Sequence, residues 1–226
     1  MENNRMLNYI KNVVQNMPEG WLGLTTHRLD IYNEKLAKTE FLDEFEKLYE
    51  ANNSDSSSLN KIPTAYDYIR LGHPLSCVLE WGIAKLNHLN TENVISFSSA
   101  TVPILSILRK NLFDKKNTQI VYTEDLADFF DAEVLRKAYG YNFDLKKVEN
   151  TEQLPEFDGS TIFVLQQNEI GSIDLNSGID FYINLLPNLG SVLAVNGKSN
   201  ESYISDIQHV RRRETIAMTP ANSLIA

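Results

Sequence analysis

Glu80 stands in the middle of an otherwise apolar helical run, "CVLEWGIA", beside Trp81. A carboxylate in apolar surroundings is costly unless paired, and burial pushes its pKa upward, which suits general-base work. The plainer reading is one of the exposed glutamates that amphipathic helices carry. The other candidates fall at the ends of strand-like runs. "NVISFS" delivers Ser98, Ser99 and Ala100, "TQIVYT" delivers Tyr122, Thr123 and Glu124, "FDLKKV" leads to Glu149 and Asn150, and "STIFVLQ" ends at Gln166 and Gln167. Open α/β sheets hold ligands beyond the carboxyl ends of their strands, so a ligand site is expected at these positions. Glu124 or Asp125 could accept from both hydroxyls of a ribose diol, and Asn150 sits where an adenine-contacting side chain would be. Against these stand plain surface charge and a turn asparagine. The corner Ser98–Ala100 contains no glycine, yet it opens a helix at Thr101 with Pro103 in its first turn, a place where helix amides meet an anionic group.

Several chemistries lack their residues. His27, His73, His88 and His209 are scattered and share no metal-ligand spacing with Cys77, so no metal site is expected. Neither G-x-S-x-G nor G-x-x-x-x-G-K-[ST] is present. The net charge of -9 over 226 residues argues against nucleic acid or an anionic membrane as partner. The one basic run, Arg211 to Arg213, reads as a solvated helix end. A single cysteine makes no internal disulfide and points to a reducing compartment. With no signal-peptide core at "MENNRMLNYIKNVV" and no spanning apolar run, a soluble cytoplasmic protein is expected.

The elements that must position these groups divide in two. Residues 1–60 show helical spacing, clearest in "EFLDEFEKLYEA", and read as an N-terminal helical lid domain. "NNSDSSSLN" has the composition of a flexible connection. In residues 61–226, "PLSCVLEWGIAKLNHL" reads as a helix opened by Pro74, and from Asn93 strand and helix patterns alternate. The expected strands are "NVISFS", "TQIVYT", "FDLKKV", "STIFVLQ" and "SVLAVN". The expected helices are "VPILSILRKNL", "AEVLRKAYG" and "SGIDFYINLL", and "RETIAMTPANSLIA" reads as a closing hairpin around Pro220 to Asn222.

Three segments resemble nicotianamine synthase and its opine-metallophore relatives. "IPTAYDYIRL" is similar to that family's P-Y-Y-x-N-Y-x-x-L, with Pro63, Tyr68 and Leu71 matching. "VISFSSATVP" aligns on its G-S-G-P-L-P loop, with Ser99 and Pro103 kept and serine or alanine replacing glycine. "NSLIA" is similar to its C-terminal end. "IVYTED" and "FDGSTIFVLQQNEIGS" fit between them. The resemblance implies a Rossmann-like class I S-adenosylmethionine-dependent transferase sheet behind an N-terminal helical domain. It also implies transfer of the donor's 3-amino-3-carboxypropyl group to an amine or amino-acid acceptor in metallophore biosynthesis. In that reading Glu80 takes the acceptor's proton and Tyr122 shapes the reacting centre. Tyr68 lines the acceptor pocket, and Ser98, Ser99, Ala100, Glu124 and Asn150 hold the donor; a homodimer is the assembly expected.

Two competitors share that fold expectation: a methyltransferase, and a non-catalytic subunit whose ligand loop has drifted. A further resemblance, of "YIRLGHPLSCVLEWGIAKL" followed by "FSS" to sulfhydrylase-type pyridoxal-phosphate proteins, is set aside. Asn196 stands where that reading needs a cofactor-pairing aspartate, and no lysine follows at the required strand end.

Overall fold

A computed structural model describes residues 2–23, 34–63, 70, 72–126, 130–150, 154 and 156–226. The chain forms α1 (Glu2–Asn16), α2 (Glu34–Glu50), α3 (Ser56–Leu59), α4 (Pro74–Leu86), β1 (Val94–Phe97), α5 (Val102–Asp114), β2 (Thr118–Tyr122), α6 (Ala132–Tyr139), β3 (Asp144–Lys147), β4 (Ser160–Gln166), β5 (Phe181–Leu186), β6 (Gly190–Val195), α7 (Tyr203–Glu214) and α8 (Pro220–Ile225). This is a mixed α/β architecture around one six-stranded sheet of order β1-β6-β5-β4-β2-β3.

Strands β3, β2, β4 and β5 are parallel, while β6 runs antiparallel to both β5 and β1. The carboxyl ends of β1, β2, β4 and β5 therefore share one edge with the start of β6. A doubly wound sheet of the expected kind places its first strand centrally, in the order 3-2-1-4-5-6. Here β1 lies at the sheet margin, separated from β2 by β6, β5 and β4.

One face of the sheet packs Ile95, Ile162, Ile183 and Leu193 against Ile104, Ile107 and Leu108 of α5 and Ile207 and Val210 of α7. On the other face, Val94 and Val192 meet Ile83 and Ala84 of α4 together with Met218. The N-terminal helices enclose a third cluster, in which Tyr9, Phe41, Phe45 and Tyr49 pack on Trp81 and Val78 of α4. Helix α4 thus belongs to both cores. The stretch 52–60 is not an open linker, because it contains α3 and buries Leu59 completely.

Two expected elements are corrected. "SGIDFYINLL" holds β5, not a helix, and all six of its strand residues are buried. A strand buried on both faces is a continuous apolar run, which periodicity does not separate from a buried helix. The closing hairpin is instead an extended strap, 215–219, followed by α8. Thr219 accepts from the Asn222 amide at 3.2 Å, and Pro220 takes the first helical position, where no amide bond is lost. Among the described residues, no helix is long and apolar enough to cross a membrane.

Candidate functional site

The carboxyl edge carries a cavity of about 460 Å³ between the β1 corner, the β5–β6 turn and α8. Ser98, Ala100, Gln166, Asn188, Leu189 and Asn222 are among its lining residues. The turn is tight. Asn188 adopts a left-handed φ of 63°, and Gly190 has a φ of 132°. A Cβ on Gly190 would lie 2.1 Å from the Phe97 carbonyl oxygen, so only glycine lets β6 begin against the end of β1. Ser191 Oγ closes the same junction by donating to the Ser99 carbonyl at 2.6 Å.

The corner is internally satisfied. Ser99 Oγ accepts from the Thr101 and Val102 amides, each at 3.2 Å, so the opening turn of α5 is capped by the protein's own hydroxyl. Ser98 donates its amide to Ile216 O at 3.1 Å, and its hydroxyl lies 3.1 Å from Thr215 Oγ1. Asn222 Nδ2 donates to Leu189 O at 2.8 Å, which tethers α8 to the turn.

Glu80 lies beneath this corner and is 1% exposed. Its Oε2 meets Lys38 Nζ at 2.5 Å, and its Oε1 accepts from the Ser96 amide and hydroxyl at 2.8 Å and from Arg211 Nη1 at 3.2 Å. Burial alone would raise its pKa as the sequence suggests. Lys38 and Arg211, with the Ser96 amide, outweigh that and hold the carboxyl below its ordinary range. Glu80 is not among the lining residues of the carboxyl-edge cavity. Arg211, expected as part of a solvated helix end, is 3% exposed and also donates to Ser96 O. Cys77 is buried, and burial pushes its thiol up to about 12, so it is unreactive near neutrality.

Of the sequence-derived candidates, Ser98, Ala100 and Gln166 meet at the cavity and Ser99 caps the helix beside it. Tyr122 and Glu124 stand at the end of β2, four inter-strand spacings from β1, or roughly 19 Å. Tyr122 packs on the sheet core, and Glu124 is exposed beside Asp125, which accepts from Lys147 at 2.7 Å. Asn150 is exposed past the end of β3, and Tyr68 lies outside the described residues. The expected donor-binding set is thus split between the two ends of the edge. Asn188 and Asn222 were not expected at the site. The turn signal "PNLG" between two apolar runs marks the former, whereas nothing local marks the latter.

No protein-family model and no curated protein matches the sequence. Among solved structures, the fold is similar to cystathionine gamma synthase from Xanthomonas oryzae (12% identity, 73% of this chain and 52% of that one, TM-score 0.45). It is also similar to cystathionine gamma-lyase from Lactobacillus plantarum (13%, 71% and 51%, TM-score 0.41). A third is a putative L-allo-threonine aldolase from Listeria monocytogenes (16%, 97% and 69%, TM-score 0.46). The chain spans about half the length of the cystathionine synthase and lyase. These are not nicotianamine synthases or S-adenosylmethionine-dependent transferases. The nicotianamine synthase resemblance is therefore corrected. With it go S-adenosylmethionine as co-substrate, aminocarboxypropyl transfer, metallophore biosynthesis, and the methyltransferase and drifted-subunit variants of the same fold.

Proposed function

We propose that this protein binds an uncharged polar small molecule at the carboxyl-edge cavity and carries out no covalent or acid–base step there. The carrying observation is the lining: among its described residues there is no ionisable side chain. The cavity's volume lies within the ordinary range for small-molecule sites. A charged ligand would lose hydration without gaining a counter-charge, and a net charge of -9 further disfavours anions. Gln166 and Asn188 offer carboxamides, and Asn222 has its amide nitrogen tied to Leu189 O. Ligands with a carboxamide or lactam edge, which both donate and accept, match that set.

The same residues bear on a pyridoxal-phosphate role. Asn196 lies past the end of β6, at the opposite edge of the sheet, where it donates to Asn176 O and Ile179 O. It therefore says nothing about a cofactor-pairing acid. The cavity's described lining supplies no lysine for covalent attachment and no carboxylate for a ring nitrogen. Of the opening α5 amides, the natural phosphate cradle, that of Val102 is taken by Ser99 Oγ and Pro103 has none. These residues do not fit that cofactor, and no step is derived through it.

Matched neutral and ionised probes test the reading. Nicotinamide and benzamide are expected to raise the melting temperature and give saturable calorimetric binding at pH 7.5, while nicotinate and benzoate do neither. Ala100→Leu, which fills the cavity, is expected to abolish the amide signal. Equal binding of acids and amides, or binding unaffected by Ala100→Leu, would overturn it.

A further inference from the structure

The two margins of the sheet are finished differently. At β1 the outward backbone groups are taken, the Ser96 amide by Glu80, the Ser96 carbonyl by Arg211 and the Ser98 amide by Ile216 O. At the other margin β3 pairs with β2 alone. Leu145 lies opposite Ile120, and the Val148 amide donates to Tyr122 O at 3.0 Å, so Asp144, Lys146 and Val148 turn their backbone groups toward β2. Leu145 and Lys147 therefore turn theirs outward, where no described strand meets them. Asp144, Lys146 and Lys147 are exposed, and Leu145 is half-buried. A row of outward amides and carbonyls is a template for one more strand.

The order of side chains in "DLKK" decides which strand fits. Outward residues must face outward residues for hydrogen bonds to form, so a twofold-related copy pairs antiparallel only in registers two residues apart. With Leu145 facing Leu145 of the second copy, Asp144 faces Lys146 and Lys146 faces Asp144 on one side of the joined sheet. Sliding the copies by two residues in one direction sets Lys146 against Lys146. Sliding them the other way sets Asp144 against Asp144. Opposite charges directly across a strand pair stabilise it and like charges oppose it, so one register is favoured over both neighbours. Lysine on an edge ordinarily keeps other strands away, but here each Lys146 meets a carboxylate. Lys147 points to the other side of the sheet and is already held by Asp125 at 2.7 Å.

We propose that β3 is a self-complementary edge through which two copies of this chain join into one continuous sheet. The contact is four residues a side, which places it among weak, concentration-dependent associations. It goes beyond the cavity reading and does not rest on it, since no residue of β2 or β3 lines that cavity.

Sedimentation of the full chain between about 10 µM and about 1 mM is expected to show a reversible monomer–dimer equilibrium, with a Kd on the order of 100 µM. Amide hydrogen exchange locates the joint. The outward Leu145 N–H is expected to exchange freely in dilute protein and about fivefold more slowly at the highest concentration, where roughly four-fifths of the chains are paired. The Lys146 amide, which faces β2, is expected to stay protected throughout. Asp144→Lys and Lys146→Asp each set like charges across the joint and are expected to weaken association about tenfold, while the double variant, which exchanges the pair, restores it. Both positions are exposed, so unchanged melting temperatures confirm that the variants fold. A chain monomeric over the whole range, Leu145 exchange independent of concentration, or a double variant no better than its singles overturns the proposal.

Discussion

Glu80 shows how far a residue's type alone carries an argument. A glutamate inside "CVLEWGIA" must be exposed or paired, and it is paired, with Lys38 and Arg211. Removing the charge strands two buried cations, so Glu80→Gln is expected to cost about 3–5 kcal/mol, read as a lower denaturant midpoint. The pH dependence follows from the direction of the shift. A carboxyl held below its ordinary range contributes stability that is complete above the unfolded value of about 4.3 and is lost as pH falls through the folded value. Acid titration below about pH 4.3 should therefore destabilise the wild type more steeply than Glu80→Gln. Glu80 was legible in the sequence as a residue needing a partner. The partners were not, because they lie 42 and 131 positions away along the chain.

At the scale of elements, most boundaries followed local signals. Pro74 opens α4, Asp131 caps α6 by accepting from the Val134 amide at 2.9 Å, and Gly140 ends it with a φ of 69°. β5 was misread because full burial removes the alternation that distinguishes a strand from a helix. The C-terminal stretch was misread because "MTP" can end a strand or cap a helix, and docking against α4 and β1 decides between them. The junction of β1 with β6 gives the sharpest element-level expectation. Gly190→Ala combines an unfavourable φ with a backbone clash and should lower stability by about 2–4 kcal/mol in thermal melts. Ser99→Ala uncaps α5, and about 1 kcal/mol of destabilisation is expected in the same measurement.

For the molecule as a whole, α4 joins the N-terminal helices to the sheet, and the Lys38–Glu80–Ser96 chain of bonds runs from α2 through α4 to β1. Both tryptophans, Trp21 and Trp81, lie in the N-terminal cluster, so their fluorescence reports that cluster while far-UV circular dichroism reports the whole chain. Coincident denaturant transitions by the two probes are expected for the wild type. In Glu80→Gln the fluorescence transition should move to lower denaturant. Alternating strand and helix patterns were enough to specify a mixed α/β class, and periodicity placed five of the six strands and helices α4, α5 and α6, but not α7. Strand order, the distance between Ser98 and Glu124, the capping of α5 by Ser99 and the meeting of Ser98 with Asn222 belong to the tertiary structure. Propensity, capping and burial pattern act over a few residues and are written locally. Which strand lies beside which is decided by packing between segments a hundred positions apart, and a site assembled at a shared sheet edge exists only once that packing is complete.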